Sequence, residues 1–511
     1  MTFARTVAHL TALGNQLARL MLDGGHMFRA FPIPARTVAL AGLVACQLAC
    51  GAGERPRQDA GDLDAGGADA GDDAGAADAG ADAGADAGRQ AFDAGPFTLA
   101  FRASDGGSTT SEIYARAFSV RVSGAEPGAL VHLTARAFEF VGKGSFVAAA
   151  DGTVDTGRDA PVSGTYRGVD VDGLLWSAED SPLPPPAGFD VVVTAASGDA
   201  GATATLARPA MGTGFTLRDV SAGGLPAKFL TRPDAGARGA VLVLGGSDCS
   251  LNATLFEAAW VSTMGFDALA VDYCDQGFIE RIPLERLEAA LDWLGAQQDI
   301  DRGRLAVLGG SRGGELALQL AADLPWLRGA VAVAPSSYRW SDTRTGDGAA
   351  WTRADAGLPS IPRRPQEQPV PEFLPDGQTG YRFTPVFLGE LAAASGAERS
   401  AARIAVEDAG AAVLMIGGDD DGLWPSCRFI DDAWNALADA GHQRTHPLDR
   451  KLCVPGAGHL IGAPGYPTAD GYSMARPGVV LVLGGTAEGR GHANRAADEA
   501  IRAFLQAALA P

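Results

Sequence analysis

The run Gly309-Gly310-Ser311-Arg312-Gly313 spells G-x-S-x-G, a spacing that suits a serine nucleophile. An apolar, strand-like stretch at 304–310 precedes it, and helical spacing follows at 315–324. A tight strand–turn–helix bend holds its serine in a strained backbone conformation, needs small neighbours, and lifts Oγ clear of the strand ends. A serine hydroxyl attacks poorly until a base takes its proton. The chain offers seven His. His459 closes the loop Val454-Pro-Gly-Ala-Gly-His459 behind the apolar Leu452-Cys453-Val454, where a late base is expected. His492, in Gly489-Arg-Gly-His492, is the second candidate, while His442 and His446 lie in a polar connection and read as solvent-facing.

An imidazole needs an acid that orients it and stabilises its charged form. The apolar stretch 411–418 ends in Asp419-Asp420-Asp421-Gly-Leu-Trp-Pro425. Asp421, three past Gly418 and four before Pro425, fits a post-strand acid loop best, and Asp420 is the close alternative. The chain order is then Ser, Asp, His, as the α/β-hydrolase arrangement demands. Acyl-transfer chemistry also needs two convergent backbone N–H groups to hold an oxyanion. Arg312 is expected to supply one, and Gly246 or Ser247, after the apolar run 240–244, the other. No G-x-x-x-x-G-K-[ST] phosphate loop is present, and the six Cys form neither a C-x-x-C pair nor a cluster with zinc spacing. No metal and no cofactor are implied.

The elements that must position these groups alternate in kind. Residues 240–246, 267–274, 304–310, 331–335 and 411–418 read as buried strands; 283–297, 315–324, 429–441 and 493–509 read as helices. Continuously apolar strands alternating with helices predict a mostly parallel sheet covered on both faces. We therefore expect an α/β-hydrolase catalytic domain over 234–511. Upstream, Phe118-Ser-Val-Arg-Val122 and Val131-His-Leu-Thr-Ala135 alternate apolar with polar residues around the turn cluster Gly124-Ala-Glu-Pro-Gly128. Further short apolar stretches lie at 138–147, 173–176 and 189–194. This pattern predicts an all-β sandwich over 97–233. The Pro-, Arg- and Gly-rich region 340–385 reads as an insertion or lid near the site.

The start of the chain carries a different signal. Arg29 and Arg36 precede a short apolar run at 37–45, and Cys46 follows Leu43-Val44-Ala45. Basic residues before a short apolar run with small residues at its end read as an export signal, too short to span a bilayer. A Cys directly after such a run resembles a bacterial lipobox, so Cys46 is the expected lipidation site, Cys50 a weaker one, and Met27 the expected start of translation. Residues 1–50 thus read as a signal and lipoprotein-anchor region. Between residues 58 and 95 ten Asp face one basic residue in Asp-Ala-Gly units, nearly half of the formal net charge of −20. Such a polar, self-repelling stretch offers no apolar face, and 51–96 is expected to be a disordered linker. Nucleic acid is excluded as a partner, since phosphate binding needs clustered Lys and Arg. The reading predicts an exported, membrane-anchored protein at the periplasm or cell surface, cytoplasmic if the signal is not used. In an exported chain, Cys249, Cys274, Cys427 and Cys453 have the number to form up to two disulfides, with connectivity left open; buried free thiols are the alternative.

Together these segments resemble the acyl-CoA thioesterase / bile acid-CoA:amino acid N-acyltransferase family. Ser311-Arg-Gly-Gly-Glu-Leu-Ala-Leu318 is similar to its nucleophile segment, with Arg312 where Lys is typical. Gly418-Asp-Asp-Asp-Gly-Leu-Trp-Pro-Ser426 is similar to its acid loop, Gly456-Ala-Gly-His459 to its His loop, and Gly484-Gly485 with Gly491-His492-Ala493 to its C-terminal segment. Val120-Arg-Val-Ser-Gly-Ala-Glu-Pro-Gly128 and Gly173-Leu-Leu-Trp176 look like its immunoglobulin-like N-terminal domain. The resemblance implies cleavage of acyl-CoA thioesters, with Ser311, Asp421 and His459 as triad. Family members with Cys as nucleophile transfer the acyl group to an amino acid, and a Ser favours hydrolysis. The expected partner is an acyl-CoA or acyl-ester substrate. A broad-specificity exported carboxylesterase is the alternative.

Overall fold

The computed structural model describes residues 95–511 except 114, 139, 179–187, 234–235, 275, 365–366, 375–376, 469–470 and 477–478. The export signal, Cys46 and the Asp-Ala-Gly stretch lie outside the described residues.

Two β-sheets form the first part. A four-stranded sheet holds Ser108–Thr109, Thr98–Ala103, Phe118–Ser123 and Val154–Asp155; a five-stranded sheet holds Ser163–Gly164, Phe140–Val147, Leu130–Ala137, Phe189–Ser197 and Ala200–Arg208. Their central strands alternate: Phe118, Val120 and Val122 point inward from one sheet, and Val131, Leu133, Ala135, Val191 and Val193 from the other. The strand period of two puts every second side chain on one face, so the sequence pattern becomes a buried layer between the sheets. Gly173–Trp176, read above as strand-like, is instead one helical turn with all four residues buried. A run that is apolar at every position carries no period, so its conformation is decided by what it packs against.

An eight-stranded sheet forms the second part. Its strands in chain order are β1 (Thr216–Ala222), β2 (Leu225–Thr231), β3 (Arg238–Leu244), β4 (Asp267–Val271), β5 (Ile300–Gly310), β6 (Gly329–Val333), β7 (Ala412–Gly418) and β8 (Arg450–Val454). Spatially they run β1-β2-β4-β3-β5-β6-β7-β8. The pairs β1–β2 and β2–β4 are antiparallel; all the others are parallel. This is the order of an α/β-hydrolase preceded by an all-β sandwich. The expected boundary at 233 is corrected here, because the hairpin β1–β2 belongs to the second sheet. Strand periodicity is local and does not say which sheet a hairpin joins; Phe229 and Leu230 decide it by pairing with Leu269 and Ala268 of β4.

Helices cover both faces. Val241 and Val243 of β3 join the cluster of α1 (Leu251–Thr263) and α5 (Ala487–Ala508), including Leu255, Ala258, Ile501 and Phe504. Leu242 and Leu244 point the other way, against Leu287 and Leu291 of α2 (Leu284–Gly295), Leu316 and Leu320 of α3 (Arg312–Asp323) and Ile430 and Leu437 of α4 (Ser426–Ala440). Burial of alternate strand residues on opposite faces is what a two-sided parallel sheet requires. The cluster under α1 and α5 runs on into the sandwich core. There Trp176 packs on Gly491, and Asp170 binds Arg495 at 2.5 Å and His492 at 2.8 Å. Two disulfides, Cys249–Cys274 and Cys427–Cys453, settle the open connectivity.

Candidate active site

Strand β5 runs straight into Ser311, and α3 starts at the next residue. Ser311 has φ +55° and ψ −119°, outside the ordinary regions for a residue with a side chain. Its N–H donates to Val333 O on the neighbouring strand at 2.8 Å, and its carbonyl accepts from Glu315 N–H at 3.0 Å. The motif's glycines follow from crowding. A Cβ on Gly309 would collide with the Gly313 carbonyl, and one on Gly313 with the Leu244 carbonyl. Strained backbone of this kind persists only where its surroundings over-determine it.

The structure brings Ser311, His459 and Asp421 together. His459 Nε2 is 2.9 Å from Ser311 Oγ, and Nδ1 is 2.9 and 3.0 Å from the two Asp421 carboxylate oxygens. A carboxylate only accepts, so Nδ1 carries the proton and Nε2 presents its lone pair to the hydroxyl. His459 and Asp421 are 4% and 5% exposed, so bulk water does not screen their contact. The His459 N–H donates to Leu483 O at 2.7 Å, which fixes the base loop against the chain before α5. Trp424 stands edge-on to the imidazole at 5.8 Å and donates its own Nε1–H to Ala334 O at 2.9 Å.

The three consecutive aspartates divide the work. Asp419 accepts the Gly456 N–H at 2.7 Å and so ties down the base loop. Asp420 accepts from Arg382 at 2.8 Å and from the Gly485 N–H at 2.9 Å. Burial alone would raise its carboxyl, but these donors hold it below the usual range. Asp421 faces His459 and also accepts the N–H groups of Leu423 and Trp424, at 2.9 and 3.1 Å. Arg382 lies in the 340–385 region. Its hairpin, Val370–Phe373 with Thr379–Arg382, joins Val479–Val482 and Tyr472–Arg476 in a separate four-stranded sheet beside the acid loop.

Other expected residues fall differently. His492 pairs with Asp170 of the sandwich and so stands apart from Ser311 as a base. His442 is not solvent-facing: it is 6% exposed, with Nδ1 2.6 Å from Asp449 and Nε2 2.8 Å from the Ala409 carbonyl. A polar stretch of sequence hides such a residue, because its partners lie in other segments. Gly246 lies against the nucleophile, where a Cβ would sit 3.4 Å from Ser311 Cβ and 4.0 Å from Oγ. Ser247 follows it in the same loop. Arg312 opens α3, so its N–H has no intrahelical partner. Its guanidinium points into the core, to Glu315 at 2.8 Å and to the carbonyls of Trp340 and Ser341 at 3.1 and 3.3 Å. Burial raises the Glu315 carboxyl against the pull of Arg312. Trp351 Nε1–H donates to the same carboxyl at 2.7 Å, so the start of the 340–385 region is anchored beneath the nucleophile turn.

Two acidic groups near the turn escaped the sequence reading. Glu257 of α1 faces Gly310, and burial, then the nearby Asp248, pushes its carboxyl up to about 8. Burial likewise raises Asp248 to about 6. Among the described residues no group of three or more His, Cys, Asp and Glu is arranged to hold a metal ion.

Residues 282–511 match the family model described as BAAT / Acyl-CoA thioester hydrolase C terminal, and residues 115–217 match that of the Acyl-CoA thioester hydrolase/BAAT N-terminal region. Acyl-coenzyme A thioesterase 2, mitochondrial, of Mus musculus is 25% identical over 386 residues, covering 72% of this chain and 77% of that protein. Acyl-coenzyme A thioesterase 1 of Homo sapiens is 25% identical over 359 residues, covering 67% and 80%. Among solved structures, a dienelactone hydrolase-like promiscuous phosphotriesterase from metagenomic libraries is 19% identical, with 58% of this chain and 99% of that chain covered and a TM-score of 0.34. With both of its parts matched in order, the chain belongs to the acyl-CoA thioesterase/BAAT family and is an enzyme, a hydrolase.

Proposed function

We propose that the enzyme hydrolyses acyl-CoA thioesters through a Ser311–His459–Asp421 triad and an acyl-enzyme. The observation that carries this reading is the 2.9 Å approach of His459 Nε2 to Ser311 Oγ, with Asp421 behind Nδ1. Ser311 Oγ attacks the thioester carbonyl carbon and its proton passes to His459 Nε2. The oxyanion is held by N–H groups of Arg312 and of Gly246 or Ser247. Collapse breaks the C–S bond, and Nε2–H protonates the departing thiolate. Water then attacks the acyl-serine and gives a proton to Nε2. The second collapse returns that proton to Oγ and releases the fatty acid. Asp421 keeps the Nδ1–H tautomer in place and stabilises the imidazolium formed twice in the cycle. Family membership and the thioesterase names of the relatives support the CoA leaving group. A serine nucleophile favours water over an amino-acid acceptor.

A second reading, an exported carboxylesterase of broad specificity, is favoured by the two disulfides, which persist in oxidising compartments. The same observation supports export, and anchoring through Cys46 rests on the sequence pattern at 37–46. Turnover of an acyl-CoA series and of p-nitrophenyl esters, by wild type and Ser311→Ala, tests both. We expect thioesterase turnover that Ser311→Ala abolishes. Ester turnover without thioesterase turnover supports the second reading, and full activity in Ser311→Ala overturns the nucleophile assignment. Fatty-acid labelling that survives Cys46→Ala overturns the anchor.

A further inference from the structure

The oxyanion-binding loop has no secondary structure of its own. It leaves β3 at Gly245 and reaches α1 at Leu251. Something else must hold its peptide planes, because an oxyanion hole works only when its donors are aimed before charge develops. Tyr273, just past β4, lies against this loop. Its hydroxyl is 2.5 Å from the Gly245 carbonyl oxygen and 3.2 Å from that of Gly246. The Gly246 carbonyl also accepts the Cys249 N–H at 3.1 Å. The next residue, Cys274, is joined to Cys249 by a disulfide, with Cα atoms 5.9 Å apart. The loop is therefore tied to one short segment at both ends, by hydrogen bonds at 245–246 and by a covalent bond at 249.

In a trans peptide the C=O and the N–H of the following residue point in opposite directions. Holding the carbonyls of Gly245 and Gly246 toward Tyr273 turns the N–H groups of Gly246 and Ser247 away from it. Gly246 is the loop residue that lies against Ser311. No loop or turn hydrogen bond among the described residues uses the N–H of Gly246, Ser247 or Arg312. Those donors stay available for a developing charge. Tyr273 is itself fixed: it is fully buried, with its ring 6.0 Å from Trp351. Burial holds its phenol well above the ordinary range, so it remains a donor.

We propose that Tyr273 is a positioning residue for the oxyanion hole, acting with the Cys249–Cys274 disulfide to aim the N–H groups of Gly246 and Ser247. It touches no reacting atom and acts through the loop. The proposal rests on Ser311 being the acylating nucleophile.

Tyr273→Phe keeps the ring and removes the donor. We expect kcat to fall about ten- to a hundredfold, less than the loss of an oxyanion donor itself, with KM within about twofold. The decisive readout compares two inhibitors. A long-chain alkyl trifluoromethyl ketone, which forms an oxyanion on Ser311, should bind more weakly by the factor lost in kcat. A thioether analogue of acyl-CoA, which mimics only the ground state, should bind as to wild type. An unchanged kcat and ketone affinity overturns the proposal, and so does an equal loss for both inhibitors. If Tyr273→Phe does not fold, Cys249→Ser with Cys274→Ser loosens the same loop and is read by the same ratio: selective ketone loss supports the proposal, and no loss overturns it. Running p-nitrophenyl esters alongside frees the result from the identity of the leaving group. Ser311→Ala fails or holds independently of that ratio, so the two readings fail separately.

Discussion

His459 Nε2 lies 2.9 Å from Ser311 Oγ although the two residues are 148 positions apart in the chain. One residue sits on the turn after β5, the other on the loop after β8, and the parallel strands between them bring both loops to the same end of the sheet. The contact places a base on the hydroxyl proton, provided the imidazole keeps its tautomer. That condition falls on Asp421.

Asp421→Asn should therefore lower kcat about 10⁴-fold while leaving the fold intact, because an amide stabilises the wrong tautomer. Asp420→Asn removes only part of the anchorage to Arg382 and Gly485. We expect its kcat to stay within about tenfold of wild type. Steady-state kinetics of the two variants checks this, and the reverse ranking would show that Asp420 is the acid.

Glu257 sets a pH dependence of stability. Its carboxyl titrates near 4.5 when exposed and is pushed up to about 8 in the fold, with one oxygen buried and without a partner. The folded state thus holds a proton that the unfolded state has lost. This contribution is fully present below about 4.5 and is lost as pH rises to about 8, by at most about 1.4 kcal/mol per pH unit. Glu257→Gln should flatten the fall in Tm between about pH 5 and pH 8. Identical Tm profiles for both proteins would refute it.

Gly491 lies in α5, where Ala would ordinarily stabilise a helix by up to about 1 kcal/mol. Here a Cβ would stand 2.6 Å from Cγ of Trp176 in the sandwich. Gly491→Ala should instead destabilise, by about 1–3 kcal/mol, through forced movement of that ring. Urea unfolding measures the sign, and a stabilised variant would mean that Trp176 gives way freely.

The Cys427–Cys453 disulfide joins α4 to β8 across 26 residues. Constraint of the unfolded chain predicts that replacing both with Ser costs about 3 kcal/mol. Because Cys453 precedes the His459 loop rather than the loop at 245–250, turnover at low temperature should survive. Thermal unfolding of the double variant reads out the first expectation, and its steady-state turnover at low temperature reads out the second.

Local spacing determined much about this protein. The crowding that demands Gly309 is written into five adjacent residues, whereas that at Gly313 comes from the Leu244 carbonyl of β3. Uniformly apolar strands between amphipathic helices specified a covered parallel sheet, and strict alternation specified the sandwich. These are consequences of backbone sterics and of the two side-chain periods, which neighbours in sequence suffice to express. Tertiary structure alone decided the non-local matters. It paired Cys249 with Cys274 and Cys427 with Cys453, gave the hairpin at 216–231 to the hydrolase sheet, buried His442 against Asp449, tied Asp420 to Arg382, and set the Tyr273 hydroxyl against the carbonyls of Gly245 and Gly246. Each depends on which distant segments the strand order brings within a few ångströms, and no periodicity records that distance.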